Sequence, residues 1–106
     1  SLYGTAQEIF LRSTGVILTM IEELINLAPN PIEQIGEPVH FKRRKPEDGS
    51  LSALSEVEKV FDFIRMLDCE GYPPAFIETA HFRFEFKRAS LQADNTILSD
   101  VRIIKK

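Results

Sequence analysis

A chain of 106 residues, 43% hydrophobic and 27% charged, has the composition of a folded globular protein and not of a disordered one. Its length suits one small domain, or one domain with a piece of a neighbour. No apolar run approaches the roughly 20 residues of a membrane span, and a net charge of −3 argues against a general nucleic-acid binder, whose phosphate affinity comes from Lys and Arg.

The chain opens Ser1-Leu2-Tyr3-Gly4 without an initiator Met, which leads us to expect a fragment whose preceding part carries the chemistry. Apolar residues here are interleaved with Gln7, Glu8 and Arg12, so no signal-peptide core is expected. Thr5-Ala6-Gln7-Glu8 reads as a capping box, in which the Thr5 hydroxyl accepts from the Glu8 amide and Glu8 reaches back. Behind it Ile9, Phe10, Val16, Ile17, Met20, Ile21 and Leu24 recur at helical spacing. Gly15 costs such a helix roughly 1 kcal/mol relative to Ala, which marks it as a point of close approach to another element. Leu11, Leu18 and Ile25 fall off the main stripe, so the helix wants partners on more than one side.

Residues 29–50 read as a linker, interrupted by Pro29, Pro31, Pro38, Pro46, Gly36 and Gly49. Within it Pro38-Val39-His40-Phe41-Lys42 alternates briefly and predicts an edge strand. Ser55-Glu56-Val57-Glu58 offers a second capping box, ahead of a helix with Val57, Val60, Phe61, Ile64 and Leu67 on one face. That helix should stop near Cys69, because Gly71 accepts a left-handed cap and Pro73-Pro74 cannot continue it. Strands are predicted over 75–79, 82–88 and 97–104. The second is the clearest, with Phe82, Phe84 and Phe86 alternating against Arg83, Glu85 and Lys87, and Asp94-Asn95 supplies a turn. The fold expected is α+β: two amphipathic helices joined by a Pro-rich linker, then a small antiparallel sheet with one buried face.

Little here can carry chemistry. His40 and His81 have no Cys or carboxylate at metal-ligand spacing, so no zinc site is expected. The lone Cys69 precludes an intrachain disulfide and suits a reducing cytoplasm. Glu47 with Asp48, and Asp68 with Glu70, read as solvated pairs, since acid–base work needs an environment that separates their pKa values. The Phe stripe reads as a core face, although it imitates a base-stacking platform. The exception is Lys42-Arg43-Arg44-Lys45, four consecutive cations that favour a phosphate or carboxylate partner unless Glu47 and Asp48 neutralise them.

Three segments in order resemble folate-dependent formyltransferases. Residues Leu2 to Phe10 are similar to the start of the last helix of a formyltransferase catalytic domain, and Lys42 to Gly49 to the linker that follows it. Phe63 to Asp68, then Gly71 to Phe76, look like the helix-to-strand junction of the C-terminal region in the methionyl-tRNA formyltransferase-like and amino-sugar N-formyltransferase superfamily. The resemblance implies three parts. Residues 1–28 would be the terminal helix of an otherwise absent catalytic domain, 29–50 a basic linker, and 51–106 a C-terminal helix with a truncated OB-like sheet. It further implies a cytoplasmic enzyme that moves a formyl group from 10-formyltetrahydrofolate to an amine, of methionyl-tRNA or of a nucleotide-linked amino sugar. No residue of this chain matches the family's catalytic Asn, His and Asp, so the chain is expected to bind no cofactor itself and to partner the catalytic domain of the same polypeptide. Lys42, Arg43, Arg44 and Lys45 become candidate acceptor or anion contacts. Two other classes stay open: a free-standing interaction module that dimerises through an exposed helix or sheet edge, and a small nucleic-acid binder.

Overall fold

The computed structural model describes residues 1–106. Its elements are helix α1 (Ala6–Leu27), a 3₁₀ turn (Pro46–Gly49), helix α2 (Val57–Leu67) and strands β1 (Ala75–Glu78), β2 (Phe82–Leu91) and β3 (Ile97–Lys105). The strands form an antiparallel sheet in the order β1-β2-β3, so the α+β expectation holds. No helix is long and apolar enough to cross a membrane.

The first capping box is present: the Thr5 hydroxyl accepts the Glu8 amide at 3.3 Å, and the Glu8 carboxylate accepts the Thr5 amide at 2.8 Å. The second is not. Helix α2 begins at Val57, one residue too late for Ser55 to cap it; Glu56 occupies the cap without a side-chain bond and pairs with Lys59 at 3.1 Å. The edge strand expected over residues 38–42 is also absent. Val39 and Phe41 are exposed and no strand runs beside them, so their alternation has no face to bury. A strand needs a neighbour for its backbone groups.

Helix α2 lies on the sheet. Buried Leu51, Ile64 and Ala75 form the core, with Leu54, Val60, Phe63, Leu67, Phe86, Ala89 and Ile97 packed around them. The cross-strand rows Ala75–Phe86–Val101 and Ile77–Phe84–Ile103 lie in register on one apolar face. Only part of that face is covered: Phe86 joins the core cluster, whereas Phe82 and Ile103 are 42% and 61% exposed. On the other face the Arg83 guanidinium lies 3.7 Å from the centre of the buried Phe76 ring and pairs with Glu78 and Glu85. A bulge shifts the β2–β3 register between Lys87 and Ser90. There Arg88 takes φ 50°, and its amide donates to the Asp68 carboxylate at 2.9 Å. The β2–β3 turn closes with Asn95 at φ 63° and its amide on the Gln92 carbonyl.

Helix α1 touches the rest of the chain at its first turns alone. The Gln7 amide donates to the Asp68 carbonyl, the Glu70 amide to Gln7 Oε1, and the Arg65 guanidinium to the carbonyls of Leu2 and Gly4. Phe10 meets Tyr72 edge-to-face, with ring centres 6.0 Å apart. Beyond that the helix projects. Of its residues Ala6 is buried, while Val16, Ile17, Leu18, Met20, Ile21, Leu24 and Ile25 are all exposed. Nothing lies within 4 Å of the position a Cβ on Gly15 would take, so the close approach expected at that residue is not made within this chain.

Candidate functional site

The basic run is placed by the turn that follows it. Pro46 starts the 3₁₀ turn, the Asp48 carboxylate accepts the Lys45 amide at 2.8 Å, and the Ser50 amide closes on the Glu47 carbonyl. The turn sits tightly on the α2–β1 junction. A Cβ added to Gly49 would lie 3.3 Å from both Leu67 Cδ1 and the Pro74 carbonyl oxygen, closer than packed atoms normally approach. Arg44 then folds over the Phe63 ring, 4.9 Å from its centre, and donates to the Asp48 carbonyl at 3.3 Å. A cation over an aromatic face is attracted to it, by about 0.5–1 kcal/mol at an exposed site.

The result is an open cleft of about 770 Å³, walled by Arg43, Arg44 and Lys45 on the linker side and by Leu67, Gly71, Tyr72 and Pro73 opposite. No carboxylate lines it. Neither Glu47 nor Asp48 forms an ion pair with any of the four cations of the run. Three of the four sequence candidates, Arg43, Arg44 and Lys45, are therefore brought together, and Lys42 stays outside.

A second cleft of about 650 Å³ lies on the far side of Tyr72, lined by Asp68, Pro74, Glu85, Lys87, Arg88, Asp100, Val101 and Arg102. The sequence reading did not pick out Lys87, Arg88 and Arg102 as a site. They come together through the β2–β3 register, which pairs Lys87 with Asp100 and Glu85 with Arg102, and through the bulge that turns Arg88 towards Asp100. The one local signal was the alternation that puts Glu85, Lys87, Asp100 and Arg102 on polar faces.

Other candidates lie elsewhere. The His81 carbonyl accepts the Lys106 amide at the start of β2, while His40 is exposed on the linker. No group of three or more His, Cys, Asp or Glu side chains is arranged to hold a metal ion. Asp68 does structural work, its carbonyl on Gln7 and its carboxylate on the Arg88 amide. Two carboxyls are held below their ordinary range. Glu78 is lowered by hydrogen bonds from Lys106 and Arg83, and Asp94 by the hydroxyl and amide of Thr96. Neither lines either of these two clefts.

A sheet with one helix laid on it, a second helix tethered by its tip and a cation-walled cleft at the junction define a small α+β accessory domain. Residues 46–104 match the family described as methionyl-tRNA formyltransferase, C-terminal domain, and the chain belongs to that family. Among solved structures it is similar to "Methionyl-tRNA formyltransferase from Clostridium thermocellum", with 48% sequence identity and a TM-score of 0.93. That likeness covers 100% of this chain and 47% of the other, so the chain spans about half the length of that relative. No curated protein matches the chain.

Proposed function

We propose that this chain is the non-catalytic C-terminal region of a 10-formyltetrahydrofolate-dependent formyltransferase, bracing the catalytic domain through α1 and shaping one side of the acceptor cleft. Residues 1–28 serve as the last helix of the catalytic domain, 29–50 as the linker and 51–106 as the accessory domain. The observation that carries this reading is the bare apolar surface of α1, in a chain that covers 47% of a relative named as a methionyl-tRNA formyltransferase. Each such side chain gains about 1.5–3 kcal/mol when fully buried, and α1 has no such partner within this chain.

Neither cleft contains a histidine or an asparagine. On this reading no step of formyl transfer is assigned to the chain, and 10-formyltetrahydrofolate belongs to the catalytic domain. What the chain contributes is charge. Arg43 and Arg44 meet the anionic part of the acceptor, with Arg44 resting over the Phe63 ring. The acceptor is an amine, of methionyl-tRNA as the relative's name indicates, or of a nucleotide-linked amino sugar.

In the complete enzyme, Arg43→Ala/Arg44→Ala should raise KM for the acceptor about 10-fold or more, as expected for lost hydrogen bonds to a charged group. The KM for the folate and kcat should hold. An unchanged acceptor KM would remove these residues from the site. Ile17→Asp should destabilise the complete enzyme while leaving this chain folded, and equal tolerance in both would end the bracing role. A second reading, self-association as an interaction module, is favoured by the exposed Phe82 and Ile103 on the sheet. A constitutive dimer in sedimentation at low concentration would support it.

A further inference from the structure

The two edges of the sheet are finished differently. At β1 the chain closes its own edge: Ser50 bridges Phe76 in parallel, and the Leu51 amide donates to the Phe76 carbonyl at 2.9 Å. At β3 the sheet ends, and no backbone hydrogen bond outside the β2–β3 ladder reaches residues 97–105. This strand of 9 residues contains no Pro and no Gly, so it lacks devices that commonly guard a free edge.

The ladder's alternation assigns the open groups. In an antiparallel pair, opposed residues exchange both hydrogen bonds at every second position. The Lys106 amide donates to the His81 carbonyl at 3.0 Å, one step beyond the Phe82–Lys105 pair. Counting back, Ile104, Arg102 and Asp100 turn their amides and carbonyls onto β2, while Ile103, Val101 and Ser99 turn theirs outward. Along the same strand Leu98 is 63% and Val101 47% exposed.

We propose that β3 pairs with β3 of a second copy of this chain, antiparallel about a twofold axis at Val101. This rests on the self-association reading and gives it a strand and a register. In that register Val101 faces Val101 of the other copy, Ser99 faces Ile103 and Leu98 faces Ile104, so the outward amides and carbonyls meet. Asp100 of each copy lies opposite Arg102 of the other. Arg102 has no ion pair within the chain, and Arg88 engages Asp100 through Oδ2, which leaves Oδ1 to accept from Arg102. Charge also rejects the neighbouring registers. Moving the axis by one residue sets Asp100 against Asp100 or Arg102 against Arg102, and like charges directly opposite destabilise a strand pair. The edge is thus complementary to itself.

Sedimentation equilibrium of the chain over a concentration series should show a monomer–dimer equilibrium. Arg102→Asp and Asp100→Arg should each weaken it roughly 10-fold or more, since each sets like charges opposite one another at both symmetry-related positions. Mixed together, the two variants should pair again as a heterodimer, because the acids of one meet the bases of the other. Val101→Pro removes an outward amide at an edge, where proline is tolerated, and should leave the chain folded but monomeric. Hydrogen exchange should show the Val101 and Ile103 amides protected in the dimer and fast on dilution, with Arg102 and Ile104 protected throughout. Unchanged far-UV circular dichroism controls for folding. A monomer at every concentration overturns both this pairing and the self-association reading. A dimer that survives Val101→Pro but is lost in Ile17→Asp overturns the strand pairing alone and moves the contact to α1. Variants that fail to pair when mixed overturn the register. A complete enzyme that stays monomeric while the chain dimerises also overturns the proposal, with the catalytic domain as the occupant of β3.

Discussion

Ile64 and Ile17 are the same residue in opposite situations, and truncating each to Ala tests where this chain keeps its stability. Ile64 is 2% exposed at the centre of the Leu51–Ile64–Ala75 cluster, whereas Ile17 is 53% exposed on α1. Removing three carbons from Ile64 forfeits about 2.4 kcal/mol at about 0.8 kcal/mol per buried carbon. The cavity adds to this, because its walls cannot close in. Leu51 is tied to β1 by its amide on the Phe76 carbonyl at 2.9 Å, and Ala75 is held in the sheet opposite Phe86. The total is about 3–4 kcal/mol, within the range for truncating Ile to Ala in a core. With 6 of 106 residues buried, the whole stability should lie at the low end of the roughly 5–15 kcal/mol usual for domains, so Ile64→Ala removes most of it. At Ile17 the same carbons remain largely in water and Ala is the better helix former, so the change should stay within about 0.5 kcal/mol. Urea unfolding followed by far-UV circular dichroism measures both, with Ile64→Val as a milder control expected to cost about 1 kcal/mol. Equal midpoint shifts for the two Ala variants, or less than about 1 kcal/mol at Ile64, would refute the placement of the core.

Thr5→Ala removes the acceptor for the Glu8 amide; it should cost α1 about 1 kcal/mol, read as faster amide exchange at Glu8 and Ile9 with the exchange of Ile64 unchanged. Gly71→Ala meets no atom within 4 Å but places a Cβ at φ 79°, so a loss of about 1–2 kcal/mol should appear from backbone strain alone, measured as a lower melting temperature. Glu78 should titrate below its ordinary value of 4.5, because Lys106 and Arg83 hydrogen-bond its carboxylate. Its folded pKa is depressed, so the stability it contributes is present above the unfolded value and is lost as pH falls through the folded one. Carbon-detected NMR should show the titration moving up towards 4.5 in Lys106→Ala and in high salt; an unmoved titration would refute the assigned cause.

Local rules determined much of this protein from the sequence. The Thr5–Glu8 box starts α1 and the Phe82–Phe86 alternation marks a strand, because each depends on neighbours a few residues apart; α2 ends at Leu67, near the expected place, but its cap is Asp68 and not the left-handed Gly71. Where a local rule needed a partner, sequence was not enough. Residues 38–42 alternate as a strand does but find no neighbour, and Ser55 misses its cap because the helix starts at Val57, with Glu56 in the cap position. The candidate site divides in the same way. The cations of residues 42–45 were legible as a run, since like charges in sequence are like charges in space. That three of them wall a cleft facing Tyr72, that Lys42 does not, and that Lys87 and Arg102 gather beyond it were decided by tertiary structure alone. The seat of Gly49 against Leu67 and Pro74, the β2–β3 register and the bulge at Arg88 set those positions, and each depends on how separate elements pair and pack.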